Sequence, residues 1–240
     1  RAPALRHSGC TTSNTRSEVA CGGAFPVMKR RALFAMRAET CPPVLSIWRT
    51  LNSLEPLSLA VVERGSDADR LFNCLVSRYH YLGLRSTVRE NLKYLVRGAC
   101  GRPLACLLFG SAAWKTQPRD RFIGWDHPAR ERNLQLVTNN TRFLVLPWVR
   151  VGCLASRVLS LTARRVASDW QSKYGHAVHM LETFVDRSRF RGTCYRAANW
   201  LRLGETTGRT RNNRCKRVRS TVKDVYVLPL TARFRRELCR

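Results

Sequence analysis

The chain reads as an α/β (α+β) protein: a mixed, largely antiparallel sheet flanked by helices. Two observations predict this. A hairpin pattern comes early, and strand–helix–strand patterns follow it. Hydrophobic residues make up 44% of 240, enough for a sizeable core.

Residues 1–24 are rich in Ser, Thr, Gly and Arg without a period, and residues 28–38 could form a short basic surface helix. The first residue is Arg, which fits a fragment or an over-extended reading frame. Residues 1–43 are therefore expected to be a disordered or non-native extension, and residues 44–240 the domain. Residues 57–62 (Leu-Ser-Leu-Ala-Val-Val) predict a strand that stops at Arg64-Gly-Ser66. Asp67 is expected to cap a helix reaching about Tyr81, with Leu71, Phe72, Leu75 and Val76 on one face and Gly83 beyond its end. Residues 93–97 and 103–109 flank Gly98-Ala-Cys-Gly-Arg102 and predict a β-hairpin.

Phe122-Ile-Gly-Trp125 predicts a further short strand. Asp126-His-Pro then opens a helix, with Asp as cap and Pro in the first turn, expected to run to Asn139-Asn140. Residues 141–146 predict a buried strand, 147–152 a turn, and 154–166 a helix. Residues 178–185 predict a strand, 193–200 a short helix, and 224–228 a last strand.

The formal net charge is +27, from 43 Lys+Arg against 16 Asp+Glu. An excess of that size points to a polyanionic partner, nucleic acid first among them, although Arg-rich coding bias produces the same sign. The densest run lies at residues 209–219. There Arg209, Arg211, Arg214, Lys216 and Arg217 are the expected phosphate contacts, and the competing reading is a solvated loop. No aromatic residue interrupts that run, which favours electrostatic contact over base stacking. Ten Cys are spread through the chain without a Cys-x-x-Cys pair or zinc spacing, as in a reduced cytoplasmic protein, and no metal site is expected. No apolar run approaches the roughly 18 residues of a membrane span, so no membrane partner is expected.

One stretch carries unusual chemistry: Glu182-Thr-Phe-Val-Asp186 followed by Gly192-Thr-Cys-Tyr-Arg-Ala-Ala-Asn-Trp200. It is a strand running into a short helix, a place where α/β folds put ligand chemistry. Glu182 in an apolar strand is either a general base or metal ligand with a raised pKa, or a structural carboxylate paired with Arg196 or Arg202. Cys153 and Cys194 stand at helix starts but read first as small buried hydrophobes. Within Tyr79-His-Tyr81, His80 is either a functional imidazole or a helix-end side chain bonding the last carbonyls.

Together with Ser77-Arg-Tyr-His-Tyr-Leu-Gly83, Asn139-Asn-Thr-Arg-Phe-Leu-Val-Leu-Pro-Trp148, Asp169-Trp170 and Gly204-Glu-Thr-Thr-Gly-Arg209, this stretch resembles the DruA family of the Druantia anti-phage defence system. The resemblance spans roughly residues 45–240. It implies a prokaryotic, cytoplasmic protein of phage defence or mobile elements. The partners it implies are other defence-system proteins, such as a helicase, or transposase proteins, for which the chain could be a structural adaptor. The layout is also similar to GNAT acyltransferases, which implies acyl-CoA as cofactor. Pro147-Trp-Val-Arg-Val-Gly-Cys-Leu-Ala-Ser156 stands where that family has its pyrophosphate loop. That likeness assigns Arg150, Gly152, Cys153, Ala155 and Ser156 to cofactor binding. Cys153 occupies the place of a required Gly, a departure that argues against ordinary CoA binding. Tyr195, four residues before Asn199-Trp200, matches the family's general acid, so acyl or aminoacyl transfer is the catalytic expectation, with Glu182 as the second candidate.

Overall fold

In a computed structural model of the chain, residues 50–84, 87, 89–208 and 221–240 are described. They fall in one compact unit, Pro42–Arg240. The extension expected over residues 1–43 lies outside the described residues, as do Arg209, Arg211, Arg214, Lys216 and Arg217.

The predicted hairpin anchors the sheet. Strands β2 (Asn91–Arg97) and β3 (Pro103–Ser111) pair antiparallel around the Gly98–Arg102 turn. Gly101 takes φ +74° in that turn, a conformation open to Gly at no steric cost. Strand β1 (Ser58–Val61) pairs with β2, and β4 (Val137–Val145) pairs with β3, both antiparallel. Beyond β4 come β5 (Met180–Asp186), β7 (Lys223–Pro229) and β6 (Leu201–Glu205), giving the order β1-β2-β3-β4-β5-β7-β6. Among the described residues only β4 and β5 are parallel, and a parallel pair needs a long crossover. Helix α4 (Leu154–Tyr174) supplies it. The mixed, largely antiparallel sheet expected from the sequence is what forms.

Helices cover both faces. Against one face, α1 (Asp67–Tyr79) contributes Phe72, Leu75 and Val76, and α4 contributes Val158, Leu159, Val166 and Trp170. The short α5 (Thr193–Ala197) adds Tyr195 to the same core. Against the other face, α2 (Gln117–Ile123), α3 (His127–Asn133) and α6 (Phe234–Leu238) pack Ile123, Ala129, Phe234 and Leu238 onto Met180 and Val227. Among the described residues no helix is long and apolar enough to cross a membrane.

Several elements differ from expectation for identifiable reasons. Ser66, rather than Asp67, caps α1: its Oγ accepts from the Asp69 N–H at 3.2 Å, leaving Asp67 and Asp69 to complement the helix dipole in the first turn. Phe122-Ile123, expected in a strand, close helix α2, which carries Pro in its first turn and ends on Gly124 at φ +84°. A short apolar run has no periodicity that separates strand from helix. Helix α3 keeps its predicted Asp126 cap, bonded to the Ala129 N–H at 2.8 Å, but stops at Asn133. Its expected last turn is instead the polar start of β4. Thr138 Oγ1 donates to Gly110 O at 2.8 Å, so tertiary bonding overrides the weak strand propensity of this segment. Helix α4 runs past the expected Val166 to Tyr174 and ends on Gly175 at φ +77°.

Candidate functional site

Strands β4 and β5 share a register for three residue pairs: Val137 with Met180, Thr138 with Leu181, and Asn139 with Glu182. Beyond Asn139 they part. The cause lies in β4, where the pairing to β3 skips a residue: Phe109 faces Asn140 and Leu108 faces Arg142. Thr141 is thus a β-bulge, which bends its strand and turns it away from the straight course. The gap is a cavity of about 610 Å³ lined by the diverging strands, the end of α1, and the start of α5.

Polar side chains hold the point of divergence. The Asn140 amide donates to Leu108 O at 3.2 Å and to Arg142 O at 3.1 Å, spanning the bulge. Thr183 Oγ1 on β5 donates to Asn140 O at 2.9 Å. Tyr195, carried by α5, donates its hydroxyl proton to Asn140 Oδ1 at 2.8 Å and lines the cavity. Its ring packs edge-on to Trp200 at 5.1 Å and is stacked with Tyr226 at 5.8 Å. Burial holds the Tyr195 hydroxyl well above the ordinary tyrosine range, so it stays protonated at neutral pH. Helix α5 is placed by Gly192, whose φ is +66° and whose absent Cβ would sit 2.4 Å from Tyr226 Oη.

Glu182, the second catalytic candidate, is fully buried, with both oxygens engaged. Oε1 accepts from the Ala113 N–H at 2.6 Å, and Oε2 accepts from Arg119 Nη1 at 2.9 Å. Arg119, itself fully buried, donates in turn to Asp120 Oδ1 at 2.9 and 2.7 Å. Burial pushes the Glu182 carboxyl upward, against the pull of Arg119. The partner is therefore Arg119 rather than Arg196 or Arg202. Arg202 pairs with Asp224 and Glu205 instead. Glu182 is not among the residues lining the cavity, so it and Tyr195 are not brought to one site. Asp186, at the far end of β5, does line the cavity. The Ser188 hydroxyl leads the hydrogen bonds that hold its carboxyl below the usual range.

The loop before α4 places its residues unevenly. Cys153 is exposed, takes φ +61°, and stands at the N-cap without a side-chain cap bond. Ala155 lines the cavity, and Ser156 Oγ folds back to donate to Cys153 O at 3.0 Å. Arg150 and Gly152 are exposed and are not among the lining residues. The first turn of α4 leaves N–H groups without intrahelical acceptors, as every helix start does. In backbone shape the loop fits a phosphate-bearing cofactor: Cys153 adopts the left-handed conformation for which glycine is suited. In residue type it departs, because a Cβ stands there. Cys194 is partly buried and its thiol is pushed up by burial, in keeping with a packed side chain.

His80 lines the cavity, with Nδ1 accepting from the Leu82 N–H at 3.2 Å. Burial, and then the charge of Arg142, push its pKa down to about 4. Among the described residues no group of three or more His, Cys, Asp or Glu side chains is placed to hold a metal ion. Sequence reasoning missed Asn140 and Thr183. The signal for Asn140 was faint: the pair Asn139-Asn140 sits in the polar start of β4, among Thr138, Thr141 and Arg142.

Comparison with known proteins adds two findings. A family model described as Druantia protein DruA matches residues 42–219. Among solved structures, the chain is similar in layout to spermidine N-acetyltransferase from Vibrio cholerae in complex with CoA and spermine. The TM-score is 0.48 at 9% identity, over 72% of this chain and 95% of that one. The dodecameric intermediate state of that enzyme gives 0.46 at 9% identity, over 72% and 94%. No curated protein matches the chain.

Proposed function

The chain belongs to the DruA family, and from that premise we propose that it is a prokaryotic anti-phage defence or mobile-element-associated protein that performs acyl or aminoacyl transfer in the cleft between β4 and β5, with Tyr195 as general acid. The observation that carries this reading is the parting of two parallel strands after three residue pairs, which opens a cavity of about 610 Å³ onto one buried tyrosine hydroxyl.

The chemistry follows from the needs of acyl transfer. A nucleophilic nitrogen or oxygen adds to an activated carbonyl, and the tetrahedral adduct collapses as the bond to the leaving atom breaks. The leaving atom carries away the electron pair and needs a proton. Tyr195 is placed to give it, because Asn140 fixes the hydroxyl at the cavity wall and the group is protonated at neutral pH; burial, by raising its pKa, makes that proton harder to release. The O–H rotates from Asn140 Oδ1 to the leaving atom; the acceptor's proton goes to solvent, and solvent returns one to Tyr195. Acyl-CoA, when bound, would supply the activated acyl group. Arg150 and the backbone N–H groups of Leu154, Ala155 and Ser156, at the helix start behind Gly152 and Cys153, would hold its phosphates. Glu182 has no part in this scheme, since both its oxygens are occupied.

A second reading is nucleic-acid binding through Arg209, Arg211, Arg214, Lys216 and Arg217. The net charge of +27 favours it.

The test is acyl transfer by the purified full chain, followed by mass spectrometry on amine and nucleic-acid acceptors. Removing a general acid costs about 10²–10⁴ in rate, so Tyr195→Phe should lose at least about a hundredfold in kcat while donor binding persists. A wild-type chain that neither gains thermal stability with acyl-CoA nor transfers an acyl group from any donor overturns the reading.

A further inference from the structure

The mouth of the cleft is built from aromatic rings and cations. Tyr81 follows α1 and Phe190 lies in the turn between β5 and α5, yet their ring centroids are 5.5 Å apart. The His80 ring lies 4.9 Å from Tyr81, tilted by 32°. The Arg189 guanidinium sits over the Tyr81 ring, 5.1 Å from its centroid. Six large hydrophobic side chains are exposed among the described residues, and three of them, Tyr81, Leu82 and Phe190, gather here. All three line the cavity, so half of the exposed large hydrophobic side chains among the described residues gather at one opening.

The charge at this opening is positive. Arg191 and Lys223 line the cavity, as does Arg142, which is held by the Gly83 carbonyl at 2.8 Å. Among the described residues neither Arg189 nor Arg191 has an acidic partner within salt-bridge distance. Among the described residues the one carboxylate in the lining, Asp186, is occupied on both oxygens, by Ser188 and by Thr221. Exposed rings beside uncompensated guanidinium groups suit a ligand with flat faces and anionic links. Bases stack on aromatic side chains whatever their sequence, and Arg takes the phosphates between them. A duplex keeps its base faces covered, whereas a single strand presents them. An acidic peptide would satisfy the cations and leave the rings in water.

We propose that the mouth of the cleft binds the single-stranded end of a nucleic acid, stacking a base on Tyr81 and Phe190 and placing the flanking phosphates on Arg189 and Arg191, so that the terminal nucleotide faces Tyr195. This names the substrate class of the transfer site and rests on that reading for what happens deeper in the cleft.

The experiment is fluorescence anisotropy on the full chain. The probes are short single-stranded DNA and RNA oligonucleotides and a blunt duplex of the same sequence, each measured over a salt series. Single strands should bind more tightly than the duplex. Each stacked base is worth about 1–3 kcal/mol, so a Tyr81→Ala/Phe190→Ala variant should lose about tenfold or more in single-strand affinity. Each phosphate contact on a single strand contributes about 0.7 to the salt slope, so Arg189→Ala/Arg191→Ala should lower it by about 1.4. All four side chains are exposed, and circular dichroism should show both variants folded. Wild-type affinity in both variants overturns the inference, as does equal affinity for duplex and single strand, or capture by anionic vesicles in place of oligonucleotides. Ring-dependent oligonucleotide binding without any group transfer supports this interface and counts against the transfer reading alone.

Discussion

Cys153 carries a side chain where the backbone calls for none. Left-handed φ costs an L-residue about 1–2 kcal/mol, and more when the side chain is β-branched. Cys153→Gly is therefore expected to unfold at or above the wild-type denaturant midpoint, because the strain it removes offsets the entropy that Gly adds to the unfolded chain. Cys153→Val should lose about 1–2 kcal/mol by the same measurement. His80 gives a pH prediction. Its folded pKa, about 4, lies below the unfolded value near 6.5, so the unfolded chain binds the proton first. Its contribution to stability is complete above about pH 6.5 and is lost as pH falls toward 4. In His80→Gln the fall in stability over that window should be shallower, read as urea midpoints against pH. At this scale the sequence was partly legible. The GNAT likeness singled out Tyr195, which lines the cleft, and the misfit at Cys153 was plain. The partner of Glu182 was not, because Arg119 is 63 positions away in sequence and only the sheet brings them together.

The elements that build the cleft depend on a few contacts. A Cβ on Gly192 would meet Tyr226 Oη at 2.4 Å, at a φ of +66°. Gly192→Ala should cost at least about 2–3 kcal/mol from overpacking and strain together. Because Gly192 opens α5, the displaced Tyr195 should also lower any cleft-dependent activity, measured on the fraction that remains folded. The buried Arg119–Glu182 pair ties α2 to β5. Arg119→Met leaves a carboxylate buried without its counter-charge and should cost about 3–5 kcal/mol by chemical denaturation. A double variant with Glu182→Leu should recover much of that loss. Long periodic elements were readable: α1, the hairpin, and strands β5 and β7 appear close to their expected places, and α4 starts where expected but runs on to Tyr174. Strand β6 was missed because it is a short edge strand with polar, exposed positions. Residues 122–125 were misjudged because four apolar-rich residues carry too little periodicity to separate helix from strand.

Across the whole molecule, cations outnumber anions by 27, and the acidic groups visible in the fold are mostly engaged. Self-repulsion of that size opposes the compact state and is screened by salt. The thermal midpoint should therefore rise from low salt to about 0.15 M, where the Debye length falls to about 8 Å. A midpoint that fell instead would mean that attraction between charges outweighs repulsion. Fold class was legible at this scale, because the order of hairpin and strand–helix–strand units restricts the topology. The strand order near the far edge, β5-β7-β6, was not, since it depends on a chain reversal that no local pattern marks.

The short seam between β4 and β5 also has a mechanical meaning. Three paired residues join a four-stranded leaf, β1 to β4, to a three-stranded leaf, β5, β7 and β6. Such a sheet is a book held by a narrow spine, and its weakest fold line runs through the cleft. Amides next to the spine should exchange hydrogen earlier than those of β2 and β3, whose ladders are closed on both sides. A molecule seated between the leaves would act as a clasp, slowing that exchange and making the two halves unfold as one.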